Sequence, residues 1–300
     1  MYIPNRTHRT LITGRNGAVG TNQPLATQAG LDTLRAGGNA IDAAVAISLT
    51  LGVVEPGMSG LGGDGFYQVY TAREAASRCY NATGAAPLSA TPERFRAAGI
   101  AVRGPLSVST PGLPGGLGAM HAAHGRLRWR QLCGPAIEHA RDGFAVSHHY
   151  RIFANDVRAV LAADPRSRAV FLAGLDVGVP SLAALITQPN LARTLEEIAQ
   201  DGAESFYRGR LARRLAAGMR EAGVLVDERD LEGPIAVAGP LPVLCDQIDA
   251  EFRNGRLGIH GFLLTRLPWV TGGGRHHSRF HATPQYQRPR CPLHPKGPHM

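Results

Sequence analysis

The residues best placed to do chemistry lie in and around one run, Glu55-Pro56-Gly57-Met58-Ser59-Gly60-Leu61-Gly62-Gly63-Asp64-Gly65-Phe66, where two acids and a serine stand among five glycines. Glu55, Asp64 and, upstream, Asp42 could each act as a general base. Acids in glycine turns also hydrogen-bond turn amides, which is their more ordinary role. Gly57-Met58-Ser59-Gly60 approaches a serine nucleophile elbow but fails its G-x-S-x-G spacing. Gly60, Gly62 and Gly65 satisfy G-x-G-x-x-G. That fingerprint binds a dinucleotide only with a strand before it and a helix after it. Here the aromatic and β-branched run Phe66 to Tyr70 reads as a strand that follows, so no nucleotide cofactor is expected. Six histidines precede residue 250; His121 and His124 fall three apart on one expected helix and His139 on the next. No thiol or carboxylate joins them at zinc-protease spacing, so hydrogen-bonded or exposed histidines are expected and no metal. Cys79, Cys133, Cys245 and Cys291 form no C-x-x-C pair and read as scattered thiols.

The elements around the glycine run follow from punctuation and period. Thr21-Asn22-Gln23-Pro24 opens a helix that Gly37-Gly38 closes. Asn39 caps the next, with Asp42 three residues on in a capping-box position. Its body, Ile41 to Leu51, is apolar on nearly every side, which predicts burial between layers. A fully buried helix thus runs into the glycine turn and out along a strand. Leu11 to Val19 and Arg78 to Asn81 predict short strands, and Gly104 to Gly112 a strand followed by a turn. Helices are predicted after Thr91, over Gly115 to His124 and Trp129 to Asp142, within Val146 to Ala163, and over Asn190 to Gln200 and Leu211 to Glu221. Asp227 to Leu231 predicts a turn. Strands first and a long helical stretch after them indicate an α+β fold or a layered sandwich with helices outside.

Composition limits the partners. With 300 residues and 44% hydrophobic content the chain can bury a core. The longest apolar candidate, Ala40 to Val54, is broken by Asp42, Ser48, Thr50 and Gly52, so no membrane partner is expected. Met1 to Arg15 lacks the apolar stretch of a secretion signal, which makes the expected location cytoplasmic. The net charge is +9, but Phe252 to Met300 alone holds seven arginines, Lys296 and no acid. The charge therefore sits in the tail and not across a folded basic face. A binding protein with a nucleic-acid-contacting tail is the alternative reading. Trp269, Phe280 and Tyr286, with Phe252 and Phe262 before them, are too few and too scattered to interleave as a stacking platform, so nucleic acid is not the expected partner.

Gly37-Gly38-Asn39-Ala40-Ile41-Asp42-Ala43-Ala44-Val45-Ala46 and Val54-Glu55-Pro56, with Ser59-Gly60-Leu61-Gly62-Gly63-Asp64-Gly65-Phe66, resemble the large subunit of the gamma-glutamyltransferase (gamma-glutamyltranspeptidase) family. Further matches follow in the family's order: Pro111-Gly112 to Gly115-Gly116, Trp129, Pro135-Ala136-Ile137, Gly143-Phe144-Ala145-Val146, Leu195 to Ala199, Phe206-Tyr207-Arg208-Gly209 and Asp230-Leu231. The likeness covers about residues 11 to 242, and the region 1–242 is taken as the family domain. The resemblance implies part of a four-layer α/β/β/α Ntn-hydrolase sandwich, lacking the small-subunit half. It also implies a proenzyme that cleaves itself to expose an N-terminal threonine on the small subunit. That threonine attacks a γ-glutamyl or related small amide, its own amine acting as base.

Two departures shape what the resemblance implies here. The family's substrate-clamping R-E-x-A-P segment is matched by Thr83-Gly84-Ala85-Ala86-Pro87, so Thr83 stands at the arginine position and Gly84 at the glutamate position. A hydroxyl does not replace a guanidinium on a carboxylate. Arg73 and Arg78 are the neighbours able to compensate, and a smaller or differently charged amide is the other expectation. Second, no Thr-Thr-His segment occurs in the 300 residues. No catalytic residue is therefore assigned within the chain, and the partners implied are a small amide substrate and a missing small subunit. Residues 243–300 are expected to be a basic tail foreign to the fold, of the composition a shifted reading frame produces.

Overall fold

The computed structural model describes residues 13–96 and 99–233 and, for the backbone alone, 237–240. The expected basic tail and the start of the Leu11 to Val19 segment lie outside the described residues; its described part, from residue 13 on, forms no strand. The element order is α1 Pro24–Arg35, α2 Ala40–Val54, β1 Phe66–Thr71, β2 Ala76–Asn81, α3 Pro92–Phe95, a 3-10 turn Pro105–Ser107, α4 Leu113–His124, α5 Trp129–Asp142 and β3 Phe144–Ala145. There follow α6 His148–Asp156, α7 Arg158–Ala163, α8 Pro165–Phe171, β4 Leu185–Ile186, α9 Pro189–Asp201, α10 Gly209–Glu221, α11 Glu228–Leu231 and β5 Val237–Pro240. Helix and strand are mixed as the α+β reading expects. Among the described residues no helix is long and apolar enough to cross a membrane.

Helix α2 is the axis of the core. Asn39 Oδ1 accepts the amides of Ile41 and Asp42, and Asp42 Oδ2 accepts the amide of Asn39, closing the capping box. Asp42, fully buried, also accepts the Arg126 amide at 3.0 Å through Oδ1, so one carboxylate ties the start of α2 to the loop before α5. Every residue from Val45 to Val54 is buried, as a helix without a polar face requires. Helices α1, α4 and α5 pack around it, and α9 packs on α5, where the Trp129 indole donates to the Ile198 carbonyl at 2.9 Å.

Strands β1 and β2 form an antiparallel hairpin in which Phe66 opposes Asn81 and Thr71 opposes Ala76. Strand β5 adds antiparallel to β2, so the sheet order is β1-β2-β5. Helix α4 covers this sheet, with the Tyr80 hydroxyl 2.8 Å from His124 Nε2. A second, two-stranded sheet pairs β3 with β4.

Three expected elements form differently. Gly104 to Gly112 carries only the 3-10 turn and then an extended strap, because Pro105 and Pro111 remove ladder donors. The helical period of Val146 to Ala163 is cut at Val157, and α6, α7 and α8 are separate. Ser147 caps α6 through the Tyr150 amide, and Asp164-Pro165 restarts the chain as α8. Asp227 to Leu231 is a capped helical turn and not an open one: Asp227 accepts from Arg229 and Asp230, and Asp230 accepts back from Asp227.

Candidate functional site

The glycine run, the segment after β2 and the strap before α4 meet in a three-way joint. The Ala82 amide donates to the Gly65 carbonyl at 2.9 Å, extending the β1–β2 ladder by one step. The Gly84 amide then leaves the ladder and donates to Asp64 Oδ1 at 2.9 Å. On the other side the Thr110 amide donates to Ala85, and the amides of Gly112 and Leu113 both donate to the Gly63 carbonyl. The Tyr207 hydroxyl accepts the Gly115 amide and donates to the Pro111 carbonyl, each at 2.9 Å. Gly63 and Tyr207 together therefore satisfy the open amides at the start of α4.

The joint closes only without side chains at two positions. A β-carbon on Gly84 would stand 1.5 Å from the Thr110 carbonyl oxygen, and one on Gly112 would stand 1.9 Å from that of Ala82. A glutamate at position 84 has no room in this backbone. Thr83 sits at the edge of the joint. Its amide donates to Asn81 Oδ1, and its hydroxyl is shielded from solvent with no hydrogen-bond partner in the structure. The hydroxyl of Tyr67, folded back over Gly65 and against Gly116, is likewise shielded and unpartnered. Burial pushes the Tyr67 phenol well above its ordinary range, and the charges of Tyr207 and Asp64 push it further. Tyr207 is raised mainly by burial as well, with the Gly115 amide pulling the other way and Glu204 and Asp64 adding to the rise. The carboxylate of Asp64 thus acts electrostatically on both phenols.

Neither arginine near the hairpin reaches this place. Arg73 and Arg78 lie 3.6 and 3.5 Å from Glu74 at the turn between β1 and β2. Arg78 is five residues from Thr83 in the sequence. At roughly 3.3 Å per extended residue that separation is about 16 Å.

The acids divide their roles. Asp64 bonds an amide across the joint, that of Gly84. Glu55, 6% exposed at the end of α2, accepts from Asn22 Nδ2 at 2.7 Å and lies 3.4 Å from His149 Nε2. His149 meets Phe153 edge-on, and Phe153 packs over Gly57, so α6 is held against the glycine turn. His121 Nε2 bonds the Leu127 carbonyl at 2.9 Å and His124 bonds Tyr80, so both helix histidines have partners. Among the described residues no group of three His, Cys, Asp or Glu is placed to hold a metal. Cys79 and Cys133 are buried, while Cys245 and Cys291 lie outside the described residues.

Sequence reasoning placed Thr83 and Gly84 beside the glycine run only through the resemblance. It missed Tyr67, Tyr207, Asn22 and His149 as partners in the joint and the turn. Gly84 and Gly112 were the available signal: two glycines outside the dense run, neither ending a helix.

The gamma-glutamyltranspeptidase family model matches residues 26–234. Glutathione hydrolase 2 of Arabidopsis thaliana is 36% identical over 228 residues, 74% of this chain and 38% of that protein. The structure of Helicobacter pylori gamma-glutamyltranspeptidase superposes with a TM-score of 0.71 at 30% identity, over 76% of this chain and 67% of the other. That of a cephalosporin acylase from Bacillus halodurans gives 0.71 at 32% identity, over 79% and 45%. The matched part of the chain thus spans well under half the length of the curated relative. With the family model matching residues 26–234 and relatives above 30% identity, the chain belongs to the gamma-glutamyltranspeptidase family.

Proposed function

We propose that residues 1–242 serve as the large-subunit portion of an amide-cleaving or acyl-transferring enzyme, supplying the scaffold and one wall of its pocket. The family match over residues 26–234 carries the reading. In it, β1-β2-β5 is part of one inner sheet of a four-layer sandwich, helices α2, α4 and α5 form an outer layer, and the second pair of layers comes with a small subunit. Two features of the sheet favour this. On its far side β1 has no partner strand among the described residues, and Tyr70 on it is 65% exposed. An aromatic on a bare edge strand invites another chain to pair there.

The attacking threonine comes from outside these 300 residues, which hold no Thr-Thr-His segment. Thr83 and Gly84 form the wall where the acyl group of the amide sits. Gly84 serves there by close backbone approach and Thr83 by an unpaired hydroxyl. The substrate is a small amide, either γ-glutamyl or a related acyl amide. The likeness to a cephalosporin acylase at an identity comparable to that of the transpeptidase supports the wider class. Reading the coding DNA beyond codon 242 in all frames tests the proposal. A Thr-Thr-His segment in any frame supports a two-part enzyme. If none is found, and no separate gene supplying a small-subunit-like partner lies nearby, the proposal is overturned.

A further inference from the structure

We infer that the chain carries a second binding site, a recess at the end of α2 opposite the glycine run, which takes a small organic anion: a carboxylate on a short hydrocarbon body. Helix α2 has 15 residues, so at 1.5 Å per residue its ends stand about 22 Å apart. The glycine run lies past its last residue. Before its first residue, the end of α1, the Gly37-Gly38 turn, the stretch Asn16 to Ala18 and Arg126 line a cavity of about 290 Å³. A water occupies about 30 Å³ of liquid, so the recess holds roughly ten waters or one ligand of that bulk.

The lining is of two kinds. Leu31, Leu34 and Ala18 supply hydrocarbon, while Arg35 and Arg126 supply positive charge. The two leucines are only half-buried, unlike Leu49 and Leu51 of α2, so they have apolar surface left to cover. Arg126 is exposed, and among the described residues its guanidinium has neither an ion pair nor a hydrogen bond. The acids nearby are engaged elsewhere. Asp32 accepts from Gln28 and pairs with Arg35, and the fully buried Asp42 accepts the amides of Asn39 and Arg126. The start of α2 adds no call for an anion, since Asn39 Oδ1 already accepts the amides of Ile41 and Asp42. The charge of a ligand therefore falls to Arg126, whose planar fork grips a carboxylate with two hydrogen bonds. A bare anion would leave the leucines wet, and a neutral hydrocarbon would leave the guanidinium without a partner. A molecule with both parts satisfies the recess.

Hexanoate, hexanamide and acetate separate the two contributions. Hexanoate has head and body, hexanamide exchanges the charged head for a neutral one of the same shape, and acetate keeps the head alone. Each is titrated into the 300-residue chain while the amide resonances of Gly37, Gly38 and Arg126 are followed by NMR. Hexanoate should move these resonances with a Kd of about 1 mM or lower, at least about tenfold tighter than either of the others. Arg126→Gln keeps the backbone amide that Asp42 accepts, and should weaken hexanoate about tenfold, to the level of hexanamide. Arg128→Gln removes the same charge from an exposed neighbour that does not line the cavity, and should change the affinity by less than about twofold. Ala18→Trp, at an exposed position of the lining, should fill the recess and abolish binding while the resonances of α5 and α9 stay in place. Hexanamide binding as tightly as hexanoate, equal losses in the two arginine variants, or undisturbed Gly37, Gly38 and Arg126 resonances in the unaltered chain would each overturn the inference. None of these results bears on the amide pocket at the other end of α2.

Discussion

Replacing Gly84 with alanine should damage the joint far more than the size of one methyl group suggests. The added carbon would sit 1.5 Å from the Thr110 carbonyl oxygen, a backbone atom that no rotamer change can remove. Restoring an ordinary contact requires the strap to retreat by about 2 Å. That retreat breaks the Thr110-to-Ala85 bond and strains the Gly84-to-Asp64 bond. Each is worth about 1 kcal/mol, and the overpacking itself costs about 1–3 kcal/mol. The expected loss is therefore about 3–5 kcal/mol, a large share of the roughly 5–15 kcal/mol that holds a domain folded. Thermal unfolding followed by circular dichroism should show a midpoint lowered by on the order of 10 °C. Gly62→Ala is the control: nothing lies within 4 Å of its added carbon, and its φ is not in the left-handed region. That variant should unfold within about 2 °C of the unaltered chain. If Gly84→Ala matches it, the close approach of the two segments is not what position 84 needs.

Other outcomes follow from the same contacts. Asp42→Ala strips the buried acceptor from the amides of Asn39 and Arg126 and should cost about 3–5 kcal/mol by urea titration, whereas Asp32→Ala on the exposed face of α1 should cost under about 1 kcal/mol. Tyr207→Phe leaves the Gly115 amide and the Pro111 carbonyl unpaired and should cost about 1–3 kcal/mol, with faster hydrogen exchange at Gly115. Burial holds His139 below its ordinary value of 6.5, despite the opposing charge of Glu138. The unfolded chain then takes up the proton first, so stability is full above pH 6.5 and falls as the pH drops below it. His139→Gln should flatten that fall in a series of melting curves; an unchanged slope would assign it to other groups. Burial pushes the Cys133 thiol up to about 12, so in native protein at pH 8 it should resist iodoacetamide and react only on unfolding, as read by mass spectrometry.

What the sequence made legible was local. Pro24, Asn39, Asp42 and Gly202 are punctuation whose meaning depends on three or four neighbouring residues, and the helices they bound formed where expected. The run Ile41 to Leu51 announced its burial because it is apolar on nearly every side, and all of it but Ile41 and Ala44 is buried. The strap from Gly104 to Gly112 was illegible, since its hydrogen bonds go to Gly63 and Ala85, far away in the chain. The division of α6, α7 and α8 was hidden for another reason: the apolar period of Ile152, Val157, Val160 and Leu161 continues across breaks set by Val157 and Pro165. At the candidate site, residue types gave the glycines and acids. Which acid reaches which amide depends on the tertiary joint, and Asp64 on Gly84 with Glu55 on Asn22 shows two acids of one turn with unlike partners.

One wall of a two-part site releases no product by itself. Purified 300-residue chain incubated with L-γ-glutamyl-p-nitroanilide and a panel of small acyl p-nitroanilides tests this by release of p-nitroaniline. With the attacking hydroxyl supplied from elsewhere, release should equal the buffer rate for every amide. Release that rises in proportion to the chain, and is lost on its heat denaturation, would show that the chain carries its own nucleophile and would contradict the account.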